Sequence, residues 1–368
     1  MSWTGIIGDT LRAMFGETAI VFALAAIGLN IHFGYTGLLN FGQAVFMAAG
    51  AYGLALFVAE VGDWGNLPFW AGVLIGLFGI PVLLAIVLGI PTLRLRADYL
   101  AIVTIATAEI FRLLARSPQF DSVTGSSDGL TQFAQPFYEP SPFNPRERYL
   151  PIPGITNSTS AGTVDADGNV LAGVSDSGGL FTGNQMWLVI IGWAVVAMVV
   201  FAVWLLMRSP WGRVLRAIRE DEDAARSLGK NAYSYKMQAL IVGGVIGAMG
   251  GMLRSIGTQL ANPDQFITDV TFFAWVAVIL GGVAKVFGPV LGSMVFWGIL
   301  GFADSFLRNA VERTVSGEQL GFIPDSILTT TQVGQVRFIL VGLLLALLAA
   351  FRPQGILGNK EEMALDDR

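Results

Sequence analysis

Residues 186–207 read MWLVIIGWAVVAMVVFAVWLLM, a run of 22 residues without a charged side chain. A helix needs about 20 apolar residues to cross a ~30 Å hydrocarbon core, so this run predicts a transmembrane helix. Eight further apolar runs predict crossings at approximately 18–33, 38–59, 68–90, 98–115, 237–257, 270–284, 287–304 and 336–351. The sequence therefore predicts an all-α, polytopic membrane protein with about nine transmembrane helices, some of them short or broken.

The composition argues against a water-soluble enzyme. Hydrophobic residues make up 54% of the 368 residues and charged residues 13%, whereas about 25% charged residues is usual in soluble domains. The absence of cysteine excludes disulfides, iron–sulfur clusters and thiolate zinc sites, and the single histidine, His32, excludes a histidine-rich metal site. A net charge of −5 argues against nucleic acid as a partner. We expect no catalytic residue, no metal and no cofactor in this chain.

The positive charges predict the orientation of the crossings. Thirteen of the 22 lysine and arginine residues fall on one side, which we assign to the cytoplasm because cytoplasmic loops carry an excess of these residues. With nine crossings, the N-terminus is then outside and the C-terminus inside. We expect one permease-like transmembrane domain over 1–358, containing an extracytoplasmic insert at 116–185 and a cytoplasmic segment at 208–236, followed by a cytoplasmic tail at 359–368. Residues 5–15 are expected to form a short interfacial helix.

Two predicted crossings are interrupted by glycine-rich stretches, GLNIHFGYTGLLNFGQ at 28–43 and GGVAKVFGPVLG at 281–292. Paired interruptions in the two halves of a transporter are the best sequence indication of a substrate path. Two interpretations stay open here, tight cytoplasmic loops and broken helices that line a pathway. Under the second, Asn40 and Gln43 could contact a substrate, and Gly34 and Gly37 belong to the same path. His32 is expected to hydrogen-bond a neighbouring helix.

A carboxylate inside a predicted crossing is costly and therefore a candidate functional group. Glu109 is such a residue, and we include it among the candidate pathway residues. Arg112 follows three residues later, so a local ion pair is the competing explanation.

Three glycines recur every fourth residue in the crossing at 237–257, at Gly243, Gly247 and Gly251. This spacing lets helix backbones approach closely, and it predicts packing within the membrane or a subunit interface.

The cytoplasmic stretch SPWGRVLRAIREDEDAARSLGK, residues 209–230, predicts a basic amphipathic helix that begins at Pro210 and ends at Gly229. One interpretation is a helix that binds anionic lipid. The run of acids does not suit a lipid-facing surface, and small alanines beside a leucine suit docking into a groove of a soluble partner. The candidate docking residues are Glu220, Asp221, Glu222, Asp223, Ala224, Ala225, Leu228 and Gly229.

These stretches together resemble the LivM-type permease of bacterial branched-chain amino-acid importers of the ATP-binding-cassette (ABC) class. The 209–230 segment is similar to the coupling loop that such permeases insert into their ATPases. The resemblance covers most of 20–358 and rests on these segments in order: GYTGLLNFGQA at 34–44, RLRADYL at 94–100, AEIFR at 108–112, the 281–292 stretch and FRPQGIL at 351–357.

The resemblance implies a permease of the bacterial inner membrane, working by alternating access. Its implied partners are a LivH-type permease subunit, two cytoplasmic ATPase subunits, an extracytoplasmic solute-binding protein that contacts the 116–185 insert, and membrane lipid. ATP would bind to the partners, because this sequence contains no GxxxxGK[ST] loop. A permease for urea or another small solute and an ATP-independent secondary carrier remain as alternatives.

Overall fold

The computed structural model describes residues 3–59, 67–95, 97–145, 147–151, 179–311, 313–315, 318–320 and 354–358, together with 332, 334–336, 338–339, 342–343, 346 and 351. The described residues are overwhelmingly helical, which confirms the predicted fold class. Their α-helices are α1 Trp3–Phe15, α2 Glu17–Leu29, α3 Gln43–Val58, α4 Phe69–Leu74, α5 Ile80–Thr92, α6 Ala97–Arg116, α7 Asp121–Thr124, α8 Gln135–Tyr138, α9 Gly183–Arg208, α10 Pro210–Glu220, α11 Glu222–Ser227, α12 Ala232–Thr258, α13 Thr268–Gly281 and α14 Gly288–Ala310.

Short segments of other geometry complete the chain. Two π-helical segments, Asn30–Tyr35 and Ile75–Gly79, continue from α2 and α4. Two 3₁₀ turns are formed by Pro118–Phe120 and Pro263–Phe266. The strands β1 Arg148–Pro151 and β2 Gly179–Thr182 form one antiparallel pair, and β3 Arg313–Val315 and β4 Glu318–Leu320 form another.

Eight of the nine predicted crossings coincide with helices in the described part of the chain. Six continuous helical stretches there are long and apolar enough to cross a membrane, and the shorter α3 is similarly apolar. α6 falls on the predicted crossing at 98–115. Most of the predicted crossing at 336–351 lies outside the described residues, as do residues 146 and 152–178 of the predicted 116–185 insert.

The chain divides into two compact units. The larger consists of 20–139, 192–293 and 354–368, and the smaller of 1–19, 140–191 and 294–353.

The larger unit is built around α3 and α12, which pack with their backbones almost touching. A side chain at Gly251 would collide with the carbonyl oxygen of Met47, and one at Gly50 would collide with the carbonyl oxygen of Ala248. Small residues at such positions let helix backbones approach, and van der Waals packing then holds them together in lipid. The predicted packing role of the glycine repeat is confirmed.

In the smaller unit, α1 runs antiparallel to the second half of α14. Trp3 contacts Phe306 with 6.5 Å between ring centroids, and a side chain at Gly301 would meet Ala13. The structure confirms a helix over 5–15 that packs along a predicted crossing, and its interfacial position stays a prediction. A turn at Gly16 separates α1 from α2.

We predict that Gly251→Ala lowers the free energy of unfolding by about 1–3 kcal/mol, the usual cost of overpacking a tight core. The added methyl group would overlap the Met47 carbonyl, so the two helices must move apart. Thermal unfolding of the purified protein in detergent measures the effect. Gly298→Ala is the matched control, because its methyl group would lie 3.6 Å from Met14, an ordinary contact. Equal melting temperatures for the two variants would contradict the prediction.

Candidate functional site

The first interruption is a broken helix. α2 continues into the π-helical segment Asn30–Tyr35, and an extended stretch leads to α3 at Gln43. The turn uses Gly37 in the left-handed region at φ +74°, where glycine avoids steric strain. The amide of Leu38 donates to the carbonyl of His32 at 2.8 Å. Turns of π-helix are frequently found at functional sites in proteins.

Side chains from neighbouring helices form hydrogen bonds with backbone groups that have no helical partner because the helix is interrupted. Thr104 of α6 accepts from the amide of Phe41 at 3.0 Å, and Thr271 of α13 accepts from the amide of Ala44 at 2.9 Å. The indole of Trp275 donates to the carbonyl of Asn40 at 3.1 Å. Since lipid cannot satisfy backbone polar groups, these contacts are what permits an extended segment at this depth.

A buried polar network holds the interruption to α12. His32 Nε2 lies 3.2 Å from the carbonyl oxygen of Leu240, and Asn40 Nδ2 lies 3.0 Å from His32 Nδ1. Because a carbonyl can only accept, we assign the proton to Nε2, and Nδ1 then accepts from the Asn40 amide. The predicted bond from His32 to a neighbouring helix is confirmed.

Gln43 extends the same network. Its Nε2 donates to the carbonyls of Ala25 and Gly243, both at 3.3 Å, and its Oε1 accepts from Asn40 at 3.4 Å. Asn40 is 1% exposed and Gln43 is fully buried. In this structure both amides therefore connect helices, and their predicted contact with a solute stays a prediction.

A single side chain joins the two interruptions. Asn30 donates through Nδ2 to the carbonyl of Lys285 at 2.9 Å, and its Oδ1 accepts from the amide of Ala284 at 2.9 Å. Gly34 makes this bridge possible, because a side chain at that position would overlap the Asn30 amide. Asn30 and Lys285 are 255 residues apart along the chain, and the fold brings the two interruptions into direct contact.

Residues 354–358 form hydrogen bonds with the end of α13, where the second interruption begins. α13 ends at Gly281, and Gly282 turns the chain with φ +114°. The amides of Ile356 and Leu357 donate to the carbonyls of Leu280 and Gly281 at 2.8 and 3.1 Å. This short segment thus satisfies two of the last carbonyls of the helix, which have no partner within the helix itself.

The stretch at 209–230 forms two helices, where the sequence predicted one. α10 ends at Glu220, and Asp221 adopts an extended conformation. Its carboxylate accepts from the amides of Asp223 and Ala224, both at 2.9 Å, and so caps the N-terminus of α11. The aspartate competes for backbone donors and thereby ends one helix and starts the next.

The candidate docking residues differ in their solvent exposure. The side chain of Leu228 is 81% exposed and that of Asp223 is 94% exposed. Ala225 is buried in an apolar cluster with Ile218 and Ala232. The other exposed candidates are Glu220, Asp221, Ala224 and Gly229.

Glu222 has an internal role. Its half-buried carboxylate bonds Lys236, and it pairs with Arg226 at 2.6 Å. It therefore ties α11 to the start of α12.

Arg219 connects α10 to the first interruption. Arg219 of α10 donates to the carbonyl of Gly34 at 2.6 Å, and its side chain covers Gly37. Sequence reasoning passed over Arg219 and Asn30 as site residues. Asn30 did carry a signal, since it is a polar residue inside an apolar run, whereas Arg219 looks like any basic residue of an amphipathic helix.

Comparison with known proteins agrees with this architecture. Residues 14–317 match the family described as "Branched-chain amino acid transport system / permease component". This chain belongs to that family. Together with the six long apolar helices, the family makes the chain a multi-pass membrane permease. No solved structure matches it.

Three relatives illustrate the range of the family. The high-affinity branched-chain amino acid permease LivM of Salmonella typhimurium is 30% identical, over 75% of this permease and 60% of that relative's length. A probable branched-chain amino acid permease, LivM of Methanocaldococcus jannaschii, is 24% identical over 92% of this permease and 91% of its own length. LivH of Salmonella typhimurium is 23% identical over 95% and 96%.

Glu109 forms an ion pair. Its carboxylate lies 2.6 Å from Arg112 Nη2, and Arg112 Nη1 lies 2.6 Å from Asp264 in the turn before α13. The predicted pairing is confirmed. The pair joins α6 to this turn, and the Glu109 side chain is 40% exposed.

We predict that Asn30→Ala speeds amide exchange at 282–287 by about tenfold or more, because each unsatisfied buried group costs about 1–3 kcal/mol and 1.4 kcal/mol is about tenfold. Hydrogen–deuterium exchange of the permease in nanodiscs measures this. Ser227→Ala is the control, since that hydroxyl makes only an exposed bond to its own helix at 2.9 Å. Unchanged exchange at 282–287 would show that Asn30 does not hold the second interruption.

We predict that Glu109→Gln lowers the free energy of unfolding by about 1 kcal/mol or less, as for exposed ion pairs. Arg112→Gln is expected to cost more, because it removes the contacts with both Glu109 and Asp264. Thermal unfolding of both variants compares the two. A larger loss in Glu109→Gln than in Arg112→Gln would be inconsistent with the geometry.

Proposed function

We propose that this permease is the membrane-spanning subunit of an ABC importer that moves branched-chain amino acids into the cell. The observation that carries the proposal is the continuous contact from the exposed helix α11, through α10 and Arg219, to the two joined interruptions. A permease that works without a cytoplasmic ATPase does not need an exposed helix that is coupled in this way to its membrane segments. The names of the LivM relatives support the substrate class.

The partners follow from the same proposal. Two cytoplasmic ATPases bind and hydrolyse ATP, a LivH-type permease completes the membrane part, and a solute-binding protein docks outside against the 116–185 insert. The assembly resides in the bacterial inner membrane. LivH supports the second permease, since it resembles this chain over nearly its full length.

The ATPases contact α11 and the turn after it. Leu228 supplies an apolar knob, and Asp223 supplies charge that orients the docked surfaces more than it adds affinity. Ala225 and Glu222 do not face the ATPases but hold α11 against the start of α12, by packing on Ala232 and by pairing with Lys236.

Movement of α10 reaches the membrane through hydrogen bonds. When closing ATPases displace α10, Arg219 pulls on the carbonyl of Gly34, one turn from Asn30. Asn30 passes the displacement to Ala284 and Lys285 in the second interruption. Packed elements have discrete arrangements, so a small shift here can switch the bundle between outward and inward access.

The solute path suits an apolar side chain. The half-buried Phe33 and Phe41 lie beside Trp275, with ring centroids 4.9 and 5.0 Å away. Such aromatic surface attracts aliphatic groups, and the glycines of the interruptions bring backbone dipoles close enough for a zwitterion.

Reconstitution tests the solute and the energy source together. We expect labelled leucine uptake by the complete complex to need ATP and to be competed by isoleucine and valine, with urea ineffective. Competition by urea alone would indicate a small-solute importer. Uptake driven by a proton gradient without any ATPase would indicate a secondary carrier and overturn the proposal.

We predict that Leu228→Ala together with Asp223→Asn reduces ATP-driven uptake at least tenfold, while insertion and melting temperature stay unchanged. Both side chains are exposed and contribute little to internal packing. Uptake and ATPase activity of the reconstituted complex are the measurements. Leu113→Ala, an exposed leucine on α6, is the matched control. Undiminished uptake in the double variant would remove the docking role of α11.

A further inference from the structure

The smaller unit contains a cavity of about 470 Å³ between α1, the start of α9 and the second half of α14. α1 carries two charged residues, Asp9 and Arg12, and α14 carries two, Asp304 and Arg308. All four line this cavity. All the charged residues of these two largely apolar helices therefore line the same cavity.

The positions along the helices explain this convergence. Asp9 and Arg12 are three residues apart, and Asp304 and Arg308 are four apart, so each pair lies on one helix face. Because α1 and α14 run antiparallel in contact, these two faces look into the same cavity. Both helices belong to stretches that are long and apolar enough to cross a membrane, Trp3–Tyr35 and Gly288–Ala310, and ionisable residues in such stretches are rare and functional by default.

The charged groups are held in place by neighbouring polar atoms. Arg12 Nε donates to the carbonyl of Leu180 at 2.7 Å, and its Nη2 donates to the same oxygen. Ser305 donates to Asp9 at 2.8 Å, and Arg308 Nε donates to Asp304 at 2.8 Å. Side chains fixed before a ligand arrives lose little freedom when it binds.

The remaining wall contributes a third carboxylate and an apolar surface. Glu17 lines the cavity at the start of α2, and the buried residues Leu188 and Val189 line it from α9. The volume falls within the roughly 300–1,000 Å³ that is usual for small-ligand sites. The cavity thus presents carboxylates, guanidinium groups and hydrocarbon side by side.

We propose that this cavity binds a zwitterion that carries a primary ammonium group, an acid group and an apolar part. The ammonium group lies against Asp9 and Glu17, the acid group against Arg12 and Arg308, and the apolar part against Leu188 and Val189. Two sources share this chemistry, a free aliphatic α-amino acid and the headgroup of phosphatidylethanolamine. The site requires neither the interruptions nor the ATPases and so goes beyond the proposed transport function.

The first arm of the test uses lipids. The full-length permease, purified from mixed micelles of phosphatidylethanolamine, phosphatidylcholine and phosphatidylglycerol in equal amounts, is analysed by native mass spectrometry. If the lipid is the ligand, phosphatidylethanolamine is retained at least fivefold over both others. Phosphatidylcholine lacks ammonium N–H donors and phosphatidylglycerol lacks the cation, so wild-type protein alone discriminates them.

The second arm uses labelled leucine. If the amino acid is the ligand, permease in phosphatidylcholine nanodiscs binds leucine in equilibrium dialysis, and the double variant Arg12→Gln, Arg308→Gln weakens binding at least tenfold. Arg94→Gln, Arg213→Gln is the matched control, because both arginines are exposed in cytoplasmic segments. Melting temperature confirms that each variant is folded.

The outcomes separate the two sources and the two proposals. Selective lipid retention that the Arg12 and Arg308 double variant abolishes identifies the headgroup, and leucine binding that it abolishes identifies the amino acid. Leucine binding unaffected by that variant, without selective lipid retention, would place leucine elsewhere and overturn the cavity assignment while leaving the transport function standing. Neither binding nor selective retention in the wild type would also overturn it.

Discussion

A helix that breaks inside a membrane leaves backbone N–H and C=O groups that lipid cannot satisfy. In this permease, protein side chains satisfy them, and the larger unit depends on that constraint. Thr104, Thr271 and Trp275 bind the extended segment, and Asn30 binds the second break. These partners come from α6, from α13 and from the segment that follows α2, so the break is stable only when those elements are assembled around it.

Further hydrogen bonds connect other segments of the chain to the two interruptions. Arg219 binds a carbonyl of the first interruption, and the C-terminal segment binds the end of α13. Hydrogen bonds of this kind are short and directional, so they transmit displacement where a lipid-filled gap could not. The tight glycine packing of α3 against α12 gives these contacts a rigid frame.

The smaller unit accommodates its polar side chains in a different way. The charged residues of α1 and α14 line a cavity. In the larger unit, by contrast, side-chain amides at the interruptions hydrogen-bond to each other and to backbone carbonyls. A membrane protein can carry ionisable residues in its helices when they face protein or water. The two units thus solve the problem of polar groups in an apolar surrounding in two ways, by mutual hydrogen bonding and by opening a cavity.

Much of the candidate site could be read from the sequence, because its signals are local. Interruptions show as glycine clusters, and the Glu109–Arg112 pair shows as helical spacing. The break at Asp221 escaped prediction, because a capping aspartate looks the same as a solvated one until its backbone conformation is known. Arg219 was missed because its acceptor lies 185 residues away along the chain.

Hydrophobic run length determined the membrane fold and the approximate positions of the crossings in the described part of the chain, since these depend on composition along the chain. Glycine clusters also marked the departures from α-helix near 30–42 and 282–287, whereas the break at Asp221 carried no such mark. Tertiary structure alone decided that Asn40 and Gln43 turn inward, that Asn30 joins two distant breaks, and that four charges share one cavity. The physical reason is that a side chain's partner depends on which helix lies opposite, and no local pattern records that choice.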